Sequence, residues 1–95
     1  MSSYEIMTIY NIELGEEEAQ DLSQEVKELI ESLGGKVISE NFWGKRKFAY
    51  RIGTQEEGFY DVIQFDIDAV KIDDLKKQLN LKEQVIRYLI SASEE

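Results

Sequence analysis

The sequence predicts an α+β fold: a four-stranded antiparallel sheet with two helices on one face, in the order β-α-β-β-α-β. Three observations lead there. Two stretches, 16–33 and 69–79, carry apolar residues at helical spacing. The stretches 4–10, 36–42 continuing through 45–52, 59–67 and 85–91 are rich in β-branched and aromatic residues. No repeat, linker or low-complexity segment interrupts the order, so one domain over residues 1–95 is expected.

In the first strand, YEIMTIY, apolar residues fall on both parities: Ile6 and Tyr10 on one, Met7 and Ile9 on the other. A sheet with one wet face alternates more cleanly, so this strand is expected at the centre. In the first helix Ala19, Leu22, Val26, Leu29, Ile30 and Leu33 form one stripe. Glu16, Glu17 and Glu18 sit where the helix dipole favours negative charge, and Gly34 suits a left-handed cap. Gly44 marks a bulge or bend in the second strand, and 53–58, GTQEEG, reads as a hairpin loop. In the third strand Ile63, Phe65 and Ile67 share a parity opposite to Gln64 and Asp66. Asp68 suits the cap of the second helix, whose stripe is Ile72, Leu75 and Leu79, and Asn80 suits a left-handed end. The arrangement is ferredoxin-like, and it leaves one sheet face without cover from the chain.

The 95 residues hold 11 bases and 20 acids, a net charge of −9, with no His, Cys or Pro. The chain can bury about 65% of its unfolded surface, enough for a small core. Without Cys there is no disulfide, thiol nucleophile or zinc thiolate site; without His the commonest general base and metal ligand are missing. The acidic runs Glu16–Glu18, Glu56–Glu57 and Asp73–Asp74 lie at helix starts or in a loop and read as solvated. Gly34-Gly35-Lys36 lies at a helix end, where the dipole repels phosphate. No cofactor and no enzyme activity are expected. Neither a membrane span nor a signal peptide is expected, and the reading is a cytosolic domain.

A total charge of −9 argues against a polyanionic partner. Its distribution argues otherwise. Residues 1–35 carry −8 and 52–95 carry −5, but 36–51 carry +4, from Lys36, Lys45, Arg46, Lys47 and Arg51 against Glu40. Phe42, Trp43, Phe48 and Tyr50 are interleaved with those bases. Such a window suits phosphate contacts plus base stacking; it equally suits a strand whose lysines keep an edge soluble.

Several blocks carry a resemblance: YEIM at 4–7, GGKV at 34–37, WGKRKFAY at 43–50, EGFYDVIQF at 57–65 and LNLKEQVIRYL at 79–89. Across essentially its whole length the chain resembles the family of the sixth protein of the bacterial small (30S) ribosomal subunit. The resemblance implies the same fold and a non-catalytic role: binding the central domain of 16S ribosomal RNA together with the eighteenth small-subunit protein, with no membrane and no small-molecule substrate. It carries RNA or partner contact to Lys45, Arg46, Lys47 and Tyr50 of the basic block and to Arg87 and Tyr88 of the last strand. Arg87 in mid-strand is costly to bury and meets either solvent or an anionic group. Trp43 and Tyr4 suit either packing or contact. The chain departs from the family pattern at Ser2 and Ser3, where basic residues are usual, at Arg51, where Pro is usual, and in a first loop without Pro. Two other classes share the fold: an acidic protein-binding domain, such as the guanine-nucleotide exchange domain of a translation elongation factor, and an amino-acid-binding regulatory domain of the ACT kind. The first gives no reason for the WGKRK block; a thermal shift with amino acids would favour the second.

Overall fold

The computed structural model describes residues 1–52 and 55–93, with the side chains of 48–52 and 55 left aside. The elements are β1 (Ser2–Asn11), α1 (Glu16–Ser32), β2 (Lys36–Ile52), β3 (Gln55–Ile67), a 3-10 turn (Ala69–Lys71), α2 (Ile72–Asn80) and β4 (Val85–Ala92). The sheet order is β2-β3-β1-β4, with every neighbouring pair antiparallel. The ferredoxin-like fold is thus as expected, and β1 is central.

Parity along each strand decides which side chains form the core. Ile6 and Tyr10 of β1 stand opposite Ile63 and Phe59 of β3. With Phe65 and Ile67 they meet Ala19, Leu22, Val26 and Ile30 from α1, and Leu75 and Leu79 from α2. Leu29 and Leu33, expected on the α1 stripe, flank the core half-buried.

One polar pair lies inside this layer. The Tyr10 hydroxyl donates to Asp61 Oδ2 at 2.7 Å, and both residues are fully buried. Thr8 stands opposite Asp61 without reaching hydrogen-bond geometry, and Asp61 Oδ1 has no donor among the described residues. Burial, and then the Asp61 carboxylate, push the Tyr10 phenol above the ordinary tyrosine range.

The helix ends follow local chemistry. Glu18 accepts from the Gly15 N–H at 3.3 Å, half of a capping box. Gly34 takes φ 88, the left-handed turn that ends α1. Its neighbour Gly35 is needed for space: a Cβ there would lie 2.8 Å from the Ile30 side chain and 2.9 Å from the Asp66 carbonyl oxygen.

Three details correct the sequence reading. The second helix begins as a 3-10 turn, with Asp68 accepting from the Val70 N–H at 3.3 Å. No residue other than glycine among those described has positive φ, so Asn80 does not end α2 by a left-handed turn. Instead α2 runs out at Leu81, whose N–H reaches the Gln78 carbonyl at 3.2 Å. Residues 55–58, expected in a loop, belong to β3, because ladder bonds need backbone and not apolar side chains. Residues 53 and 54 lie outside the described residues.

Candidate nucleic-acid interface

The face of the sheet away from the helices is organised in cross-strand rows. Paired residues read, from the hairpin end, Arg46–Gly58–Asn11, then Gly44–Tyr60–Ile9–Arg87, then Asn41–Val62–Met7–Leu89. Beyond them come Ser39–Gln64–Glu5–Ser91 and Lys36–Asp66–Ser3. The hairpin half is therefore aromatic, aliphatic and arginine-bearing. The other half is polar and carries Glu5 and Asp66, while Glu56, which shares the parity of Gly58 and Tyr60, adds one exposed carboxylate at the hairpin end. Among the described residues, the first three rows contain no carboxylate.

A bulge composes this half. The pairing of β2 with β3 slips between Phe42 and Gly44, and Gly44 takes φ 81. Trp43 is the extra residue; a β-branched or bulky side chain at the Gly44 position would be strained. The indole of Trp43 lies parallel to the Tyr60 ring, at an interplanar angle of 4° and a centroid distance of 6.2 Å. Trp43 remains 41% exposed.

The same slip sets which face each member of the basic block takes. Lys45 stands opposite Phe59, whose ring is in the core, so Lys45 and Lys47 take the helix-side parity. Arg46 stands opposite Gly58 on the open side. Lys45 makes an exposed pair with Glu57 at 3.8 Å, too loose and wet to hold it firmly. The Arg46 Nη1 donates to the Lys45 carbonyl at 2.8 Å and is otherwise exposed. The three cations thus surround the hairpin instead of lining one surface.

The other sequence-predicted residues separate clearly. Arg87 is exposed on the open face, in the same row as Tyr60. Tyr88 takes the covered parity, and its hydroxyl donates to Asn80 Oδ1 at 2.9 Å. Tyr4 is also on the covered side, stacked on Phe65 with centroids 5.9 Å apart. The geometry gives both tyrosines a packing role and does not bring them to the open face. The side chains of Tyr50 and Arg51 lie outside the described residues. The residues singled out from the sequence did not include Tyr60 and Leu89. Tyr60 shares the parity of Gln64 and Asp66, which was the available signal; Leu89, 62% exposed, offered none beyond the parity it shares with Arg87.

Electrostatics reinforce the division. The acids of α1 are exposed on the helix layer, and the first of them, Glu16, reaches the edge of the sheet, its Oε1 3.9 Å from where a Cβ on Gly44 would lie. Lys27 of α1 is paired with Glu40, and Lys82 with Glu25 at 3.1 Å. Among the described residues no group of carboxylates is placed to hold a metal ion, and no helix is long and apolar enough to cross a membrane.

A ferredoxin-like sheet with one face bare of helices, and two arginines and an aromatic pair on that face, has the make-up of a binding module. The comparisons make that class specific. The family model described as "Ribosomal protein S6" matches residues 3–92, and the chain belongs to that family. It is similar to small ribosomal subunit protein bS6 of Fusobacterium nucleatum, 38% identical over 90 residues, covering 95% of this chain and 96% of the relative. The bS6 of Thermoanaerobacter pseudethanolicus is 38% identical over 95 residues and covers 100% of both chains. The crystal structure of 30S ribosomal protein S6 from Thermotoga maritima superposes with a TM-score of 0.92 at 33% identity, covering 97% of this chain and 87% of that one. The chain is accordingly a structural, non-enzymatic protein of the small subunit of the bacterial, cytoplasmic ribosome.

Proposed function

We propose that this protein binds the central domain of 16S ribosomal RNA as a heterodimer with the eighteenth small-subunit protein. The observation that supports this reading is the polarity of the molecule. Acids occupy the helix layer and the far half of the bare face, while Lys45, Arg46 and Lys47 cluster on β2 near the hairpin and Arg87 stands on the bare face. Phosphates of folded RNA approach the hairpin end and are repelled by the rest of the molecule. So few cations give weak affinity alone. The partner adds surface and turns two weak contacts into one that holds.

The test is a gel shift with a central-domain RNA fragment, with and without the partner protein. A shift mainly with both proteins present is expected; no shift with both at low salt overturns the reading. Reversing charge at Lys45, Arg46 and Lys47 together should weaken binding and flatten the log–log salt dependence by roughly 2–3. An unchanged slope would place the RNA elsewhere.

A further inference from the structure

We infer that Trp43 and Tyr60 form a stacking platform for an unpaired base of the bound RNA, with Arg46 set to take that nucleotide's phosphate. The inference rests on the RNA-binding reading above and adds the class of RNA feature that this face accepts.

Three features of the site carry it. The two rings are parallel within 4° and belong to neighbouring strands, so each is fixed by the sheet and not by a loop. A base stacking on an exposed indole loses little entropy to ordering when the ring is held this way. Second, the bulge at Gly44 brings Arg46 to the platform's side of β2 and sends Lys45 and Lys47 to the other. The cation beside the rings is therefore a guanidinium, whose planar fork suits phosphate. Third, the three rows around the platform hold Arg46 and Arg87 in a chain whose net charge is −9; the described acid of the same parity beside them is Glu56, two residues along β3 from Gly58, which leaves the cations in excess. That local sign is complementary to a polyanion. Paired RNA offers no free base faces for stacking, whereas loops and bulges do, so the ligand is an unpaired nucleotide.

Trp43 is the chain's single tryptophan, which makes the test direct. This protein is labelled with 5-fluorotryptophan, combined with unlabelled partner protein, and followed by 19F NMR as central-domain RNA is added. The resonance should move when RNA binds. Trp43→Ala should weaken RNA binding roughly tenfold without altering the salt slope, because it removes no charge, while Trp43→Phe should stay within about threefold. Arg46→Ala should lower the slope by about 1. Trp43→Phe keeps a ring at the bulge, so its resemblance to the parent also guards against a folding defect in the alanine variant. If RNA binds yet the resonance is static and Trp43→Ala is neutral, the platform is wrong and the RNA-binding reading stands. Were the partner protein alone to move the resonance and RNA to add nothing, the face would be a protein contact and the platform equally wrong. If RNA fails to bind the heterodimer at all, both readings fall together.

Discussion

The two faces of the sheet are built from the same strands and obey different rules. In β1, Ile6 is fully buried on the helix side, whereas its neighbour Met7 on the bare side is half-buried. In β4, Ile90 packs against the core and Leu89 beside it is 62% exposed. Apolar residues on the helix side are explained by folding, since each removes surface from water. On the bare side Ile9 is still buried by its neighbours, at 6% exposure, whereas Leu89 gains little from folding and acquires its reason from what covers it. Hydrophobicity alone therefore does not mark a core position here; the layer that a side chain meets does.

The most severe way to sharpen that contrast is to truncate a ring on the covered side. Phe65→Ala removes a side chain that is 1% exposed and should cost about 3–5 kcal/mol, measured by urea denaturation. A loss below about 1 kcal/mol would mean that the covered layer is not the stabilising one.

Next comes the polar pair within the covered layer. Tyr10→Phe keeps the ring but deprives the buried Asp61 of its donor, and should cost about 1–3 kcal/mol. It should also change the alkaline limb. The native Tyr10 phenol is held neutral above the ordinary tyrosine range, so the unfolded chain loses this proton first. The pair's contribution is complete below that range and declines as pH rises above it. In the Phe variant that part of the alkaline decline should disappear from a stability–pH curve. A curve of unchanged shape would remove Tyr10 as its source.

The smallest effect belongs to the bare face. Leu89→Ser should shift the denaturation midpoint by no more than about 0.5 kcal/mol equivalent. If it instead destabilises the isolated protein as a core substitution does, the bare face is covered in solution and the contrast fails.

Much of the architecture was legible beforehand because it rests on local periodicity. The α1 stripe, the Gly34 cap, the central position of β1 and the shared parity of Ile63, Phe65 and Ile67 all follow from spacing along one segment. Asn80 misled because its tolerance of a left-handed turn is a permission; the 3-10-type bond from Leu81 to Gln78 satisfied the helix end instead. Residues 55–58 misled because polar side chains do not prevent a backbone from continuing a ladder.

The candidate site was legible as a composition and not as a surface. By itself, the sequence determined the order of elements, the apolar stripes of the helices, and the division of charge into an acidic body and one basic window. Tertiary structure alone decided which members of that window act together. A strand alternates with period two, so one bulged residue reverses every later side chain. Alternation already separates Arg46 from Lys45 and Lys47; the slip at Trp43 and Gly44 decides that Arg46 is the one on the open face. Pairing of β2 with β3 sets Tyr60 beside Trp43, a neighbour that no spacing along the chain could reveal. Register is fixed between strands, and so the face it composes is written in none of them separately.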